Sequence, residues 1–273
     1  MRTPLAATLA TLALPAALAA QQPAPPPDNA GAASRLAASP RHGEWVKVSV
    51  APGDSVTAWI VYPERKDKAP VVVVIHEIFG LTAWVRSVAD QLAAEGFIAI
   101  APDLLSGKGP GGGGTESVGQ EEAARLIRGL DQKEALLRIR LVGLWAAERP
   151  AANGRVGAVG FCWGGRASFL LATDWEGLGA AVVYYGSSPE TGYEAIRAPV
   201  LGLYGGDDAR VNATVPSAQS AMTRLGKRFE VETYEGAGHG FLRQQDGRDG
   251  ANARAAAAAW PRTVAFFRET LER

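Results

Sequence analysis

The sequence has little cysteine, little histidine and no net charge, and each shortage excludes something. Cysteine occurs once in 273 residues, at Cys162. A single thiol forbids an internal disulfide and any paired-cysteine redox motif. The three histidines, His42, His76 and His239, form no HxxxH pair, and CxxC is absent. No metal site and no cofactor are therefore expected. Lys and Arg total 28, as do Asp and Glu, so the formal net charge is zero. That balance lacks the basic excess that a nucleic-acid partner leaves. No apolar run reaches the roughly 20 residues of a membrane-spanning helix, so no stable membrane insertion is expected. No repeat of solenoid period is visible.

What is present begins with an apolar leader. Arg2 is followed by an apolar stretch from Leu5 to Leu18, and "ALA" occupies 17 to 19. This pattern predicts a signal peptide over 1–19, cleavage near Ala19, and export to the periplasm or the medium. Residues 20–43 hold Pro23, Pro25, Pro26 and Pro27 and read as a Pro/Ala-rich flexible linker. From residue 44 to the end, strand-like and helix-like segments alternate. "EWVKVSV" and "SVTAWIVYP" have period two and are joined by "APGD", a hairpin signal. Short apolar runs follow, among them "VVVVI" at 71 to 75, "IAIAP" at 98 to 102 and "VGAVG" at 156 to 160. Apolarity without alternation marks strands buried on both faces, as in parallel sheets. Amphipathic stretches lie between them, with 121–149 read as one helical segment and Pro261 as a bend in the last helix. The expectation is a single α/β domain over 44–273: two leading antiparallel strands, then about six strand–helix units, with helices on both faces of a mostly parallel eight-stranded sheet.

Ligands of such sheets bind beyond the carboxyl ends of the strands. The segments following the strands are "HEIFG", "DLLSGKGPGGGG", "FCWGG", "GDDARV" and "EGAGHGF". "GFCWGG" fits the nucleophile elbow, G-x-nucleophile-x-G on a strand-to-helix turn. Its glycines permit a crowded, strained turn. The helix N-terminus behind Cys162 favours thiolate. A candidate acid, Asp207 or Asp208, and then a candidate base, His239, follow in the order nucleophile, acid, histidine. Spacing alone leaves the two aspartates unresolved. His76 reads as a loop-orienting hydrogen-bonding residue. Glu77 ends an apolar strand, where an unpaired carboxylate is costly. It is either salt-bridged to an arginine or turned toward the thiol as a proton acceptor. The backbone N–H groups of Ile78 and Trp163 are the candidate oxyanion donors. Phe79, Trp84, Trp163, Tyr184 and Phe241 are candidate pocket aromatics.

In this order and spacing, "HEIFGL", "APDLL", "VGFCWGG", "YGGDDARV" and "GAGHGF" resemble the dienelactone hydrolase family, over roughly residues 44 to 270. The resemblance implies an α/β-hydrolase fold and hydrolysis of an ester or lactone through a Cys-His-Asp triad and a thioester acyl-enzyme. The other readings weighed are a general carboxylesterase of the same fold, a thiol-redox protein and a non-catalytic envelope binding protein. By motif match, Cys162 is the nucleophile, Asp208 the acid and His239 the base. Glu77 is the glutamate that takes the thiol proton when substrate binds. The resemblance also implies a resting thiol that is largely neutral. Of the two arginines that hold a substrate carboxylate in this family, Arg243 matches one. Gly107 stands at the other position with Lys108 beside it. The glycine-rich loop from Ser106 to about Gln120 is a candidate flap over the site. The implied partner is a small-molecule ester or lactone, and the expected state is a monomer or weak dimer.

Overall fold

The computed structural model describes residues 22–272. The expected signal peptide therefore lies outside the described residues. Eight strands form one sheet in the order β1-β2-β4-β3-β5-β6-β7-β8. They are β1 (Gly43–Ala51), β2 (Asp54–Val61), β3 (Ala69–Ile75), β4 (Ile98–Pro102), β5 (Ala152–Phe161), β6 (Ala180–Tyr184), β7 (Val200–Gly205) and β8 (Phe229–Tyr234). The β1–β2 and β2–β4 pairs are antiparallel and every other pair is parallel. This is the expected α/β-hydrolase architecture.

The helices are α1 (Ala32–Ala37), α2 (Ala83–Ala94), α3 (Gln120–Arg128), α4 (Gln132–Ala147), α5 (Trp163–Asp174), α6 (Ala209–Asn212), α7 (Val215–Arg224) and α8 (Ala251–Leu271). β3 shows why two helical layers are required. All seven of its residues are buried. Val71, Val73 and Ile75 join the core beneath α4, α5 and α7, while Val72 and Val74 join the core beneath α2 and α8. A strand with no wet face must be covered on both sides.

Two expectations change. The 121–149 helix is two helices, because Gly129 follows the first and Asp131 starts the second by accepting a hydrogen bond from Glu134 N at 2.8 Å. The last helix is as expected, with Pro261 inside α8, which runs from Ala251 to Leu271. The described part of the proline-rich segment is not a loose linker but is fastened to the body. The Pro27 carbonyl accepts from Trp84 Nε1 at 3.2 Å, the Pro26 carbonyl from Gln245 Nε2 at 2.8 Å, and Asn29 N donates to the Arg243 carbonyl at 2.9 Å. Beyond α1, Ser39 and Arg41 both bond the buried Asp90 carboxylate. Proline lacks an N–H but keeps its carbonyl, so a proline-rich segment can still be tied to the body as an acceptor.

Candidate active site

The turn from β5 into α5 is built of main chain touching main chain. A Cβ on Gly160 would lie 1.8 Å from the Gly164 carbonyl oxygen, and one on Gly164 would lie 2.4 Å from the carbonyl oxygens of Ile75 and His76. A Cβ on Gly165 would lie 2.6 Å from the Tyr184 carbonyl oxygen and 3.0 Å from Gly186 Cα. Glycine is required at all three positions. Cys162, between them, has φ 56° and ψ −113°, a strained conformation for a residue with a Cβ. Its N–H is tied to the Tyr184 carbonyl at 3.0 Å. Cys162 thus sits between β5 and α5 as the N-cap of that helix and lines a cavity.

Burial, chiefly, and the Glu77 charge, secondarily, push the Cys162 thiol from 9.0 up to about 11. The Trp163 amide and Arg210 act in the opposite direction but do not prevail. Desolvation outweighs the helix N-terminus here, so the sequence expectation of a favoured thiolate is corrected: the resting sulfur is a neutral thiol.

The loops after β7 and β8 bring an acid and an imidazole together. Asp208 Oδ2 accepts from His239 Nδ1 at 2.5 Å, and the carboxylate is only 7 % exposed. With the hydrogen on Nδ1 committed to Asp208, Nε2 is the nitrogen left for proton transfer. The two aspartates are now distinguished, since Asp207 is half exposed and pairs with Arg248 at 3.0 Å. His239 and Cys162 line one cavity of about 440 Å³, together with Ile78, Trp163 and Tyr185. The Ile78 N–H makes no hydrogen bond among the described residues.

The loop after β3 supplies two further polar groups. His76 is fully buried, with Nδ1 2.7 Å from the Glu77 carbonyl and Nε2 accepting from Leu104 N at 3.3 Å. Burial lowers its pKa, so it stays neutral and links the loops after β3 and β4. Glu77 is 3 % exposed and forms an ion pair with Arg243, Nε to Oε2 at 2.5 Å. Burial raises the Glu77 pKa despite that arginine. Of the two sequence readings of Glu77 the structure has the salt bridge, and the Glu77 charge also raises the thiol.

The substrate contacts expected from sequence fare worse. Arg243 is taken up by Glu77 and by the ring of Phe79, whose centroid lies 5.0 Å from the guanidinium carbon. Phe79 is thus a shelf for that arginine, outside the lining of the cavity. Lys108 pairs with Glu134 at 2.7 Å, away from the thiol. Phe241 is fully buried among Tyr184, Tyr185 and Tyr234, so it is core and not pocket. Trp84 and Tyr184 are core too. The glycine-rich loop does not cover Cys162. Asp103 accepts from Thr115 N and Thr115 Oγ1 at 2.8 and 2.7 Å and pins it beside a different, larger cavity of about 530 Å³. That larger space is lined by residues such as Trp45, Asp54 and Glu116 and holds neither Cys162 nor His239.

Sequence reasoning passed over Arg128, Arg166, Arg210, Tyr185 and Ser187, all of which line the Cys162 cavity. Arg166 follows the elbow glycines and Arg210 follows Asp208 by two residues, so their neighbourhood was a usable signal. Arg128 carried none, because it arrives from the end of α3.

Among the described residues no helix is long and apolar enough to cross a membrane. Nor, among them, does any group of three or more His, Cys, Asp and Glu side chains have the arrangement of a metal site.

Known proteins with this arrangement are recognisable from sequence and from structure. The model of the dienelactone hydrolase family matches residues 56–271. The carboxymethylenebutenolidase of Pseudomonas putida is 33% identical over 215 residues, covering 76% of this chain and 89% of its own. A Salmonella typhimurium relative named "Putative carboxymethylenebutenolidase" is 33% identical over 232 residues, covering 79% and 83%. The solved "Putative Dienelactone Hydrolase" of Klebsiella pneumoniae superposes with a TM-score of 0.70 at 30% identity, covering 83% of this chain and 98% of that one. By the extent of these matches, the chain belongs to the dienelactone hydrolase family.

Proposed function

We propose that the chain hydrolyses a small ester or lactone by acyl transfer to Cys162, through a thioester acyl-enzyme and a Cys162-His239-Asp208 triad. One observation carries the reading: a strained cysteine and an aspartate-bonded histidine face the same cavity. The thiol is neutral at rest, so a base must act before attack. Glu77 is that base, its proton affinity already raised by burial. It takes the Sγ proton, and the thiolate adds to the carbonyl. The Ile78 and Trp163 amides hold the resulting oxyanion. His239, with the proton on Nε2 and Asp208 behind it, protonates the departing alkoxide and becomes neutral. It then removes a proton from water, whose hydroxide cleaves the thioester. Glu77 returns its proton to the released thiolate, and the cycle closes. A lactone leaves its alcohol tethered to the acyl group; a linear ester loses it.

Cys162→Ala tests this reading. The expected result is loss of p-nitrophenyl acetate and dienelactone hydrolysis with an unchanged far-UV circular dichroism spectrum. Wild-type turnover by that variant would remove Cys162 from the mechanism.

We also infer export, from the leader alone. Fractionation of cells expressing the whole chain should find it outside the cytoplasm with a new N-terminus near residue 20; a cytoplasmic, uncut chain would reverse this inference.

A further inference from the structure

α4 buries Leu136, Ile139 and Val142 in the core on one face of the sheet. Its opposite side is unusual. From Lys133 onward the exposed positions are Lys133, Leu137, Leu144 and, at the C-cap, Glu148. At about 3.6 residues per turn these four fall on one narrow stripe along the helix. Leu137 and Leu144 are each 41 % exposed. Among the described residues the other large hydrophobic side chain so exposed is Trp45, and the Arg86 guanidinium lies over its ring at 5.2 Å. Trp145, beside the stripe, is capped in the same way by Arg149 at 4.1 Å. The rings are covered from within the chain, and the two leucines are left to solvent.

The order along the stripe is symmetric, with steps of four, seven and four residues from Lys133 through Leu137 and Leu144 to Glu148. Turned end for end about a two-fold axis between Arg140 and Leu141, it falls on itself. Lys133 then meets Glu148 of a second copy, Leu137 meets Leu144, and the same contacts repeat across the axis. An isologous interface requires this self-complementarity. Seven residues is also the repeat at which helices share a seam, and charges flanking such a seam choose its orientation. Here they choose antiparallel, because a parallel pairing would set Lys133 against Lys133 and Glu148 against Glu148. Neither charge forms an ion pair of its own among the described residues. The neighbouring charges are already taken: Glu134 by Lys108 and Arg138, and Arg140 by Asp174.

We propose that α4 is the contact of a two-fold homodimer, in which this stripe packs antiparallel on the same stripe of a second copy. The leucines form the apolar centre, and the two Lys133–Glu148 pairs fix register and orientation. α4 leads from the side of the sheet where β4 ends to the side where β5 begins, and both strands run parallel to β3. The antiparallel pairing therefore sets the thiol cavities of the two copies at opposite ends of the dimer. One helix per copy buries less than the about 1,600 Å² of a standard interface, so the dissociation constant lies in the micromolar range.

Sedimentation equilibrium of the full chain over about 1 to 200 µM tests this. Far-UV circular dichroism checks that each variant is folded. The expected result is a monomer–dimer equilibrium with its midpoint in that range. Leu137→Glu and Leu144→Glu, each entering the interface twice, should weaken association at least about a hundredfold. Lys133→Glu should weaken it about tenfold, since it turns both ion pairs into like-charge pairs. Lys133→Glu combined with Glu148→Lys should restore the wild-type constant, because the two charges have only changed places. A chain that stays monomeric at the highest concentration would overturn the dimer and leave the leucines to an occupant of another kind. So would a dimer that both leucine variants leave intact, or one that the charge exchange fails to restore.

Discussion

The two sides of Cys162 differ in one respect above all: on one the carboxylates are buried and each has a partner, and on the other two guanidinium groups face the cavity with no carboxylate. On the β3 and β8 side, Glu77 meets Arg243 and Asp208 meets His239, with the carboxylates buried. On the α3 and α5 side, Arg128 and Arg166 face the cavity without a carboxylate. Chemistry common to a reaction class needs groups held in fixed positions, and low dielectric surroundings make their pairing obligatory. Recognition of a particular anion needs charge left over. The paired side holds the groups of the proposed triad, and the unpaired side leaves Arg128 and Arg166 facing the cavity.

The sharpest way to break that comparison is at the paired aspartate. Asp208→Asn should lower kcat by about 10³ to 10⁴, because His239 loses its orienting acceptor. Asp207→Asn, which alters only an exposed pair with Arg248, should leave kcat within about twofold. Steady-state kinetics on a neutral ester reads both, and equal losses would dissolve the distinction.

Next in size is the elbow. Gly160→Ala places a methyl against the Gly164 carbonyl oxygen. It should abolish activity and cost more than about 2 kcal/mol of stability by denaturant titration. A stable, active variant would mean that the turn yields more easily than its contacts imply.

Glu77→Gln works on both sides of one ion pair. Arg243 is left with no carboxylate while its side chain is 18 % exposed, which should cost about 3 kcal/mol. The same change removes a charge that raises the Cys162 thiol. Alkylation by iodoacetamide should therefore rise at lower pH in the variant than in wild-type protein. An unmoved profile would show that Glu77 does not act on the sulfur.

The remaining expected effect is thermodynamic and shows only at alkaline pH. The thiol holds its proton in the folded state up to about 11 and in the unfolded chain only to about 9.0. The folded state then binds the extra proton, so stability must fall as pH rises from the lower value toward the higher. The loss is at most about 3 kcal/mol. Burial raises the tyrosines Tyr184, Tyr185 and Tyr204 well above 10.0 and adds its own pH dependence, so the difference between wild type and Cys162→Ser isolates the sulfur. A difference flat with pH would contradict the raised value.

The paired side was legible in the sequence for a physical reason. "GFCWGG", "GDDARV" and "GAGHGF" each sit on a strand end, and short loops leave their side chains little choice of direction. The hairpin and the buried strands were legible through period and apolarity. The unpaired side was not. Arg128 reaches the cavity only because Gly129 and Asp131 end one helix and begin another. An amphipathic count across 121–149 passes through that break unseen. Lys108 and Arg243 had suitable charge and suitable position along the chain. In three dimensions they pair with Glu134 and Glu77, which position along the chain does not reveal. Phe241 fails similarly: its place beside His239 in the chain does not prevent its ring from turning inward.

The close backbone contacts at Gly160, Gly164 and Gly165 bear on how this enzyme can be altered. The atoms nearest to those three positions are all main chain, so the turn that presents residue 162 is fixed by backbone against backbone. Serine at position 162 should therefore leave the turn unchanged, and the melting temperature of Cys162→Ser checks this. The three flanking positions admit no such freedom, and a redesign that aims at new chemistry must leave them as they are.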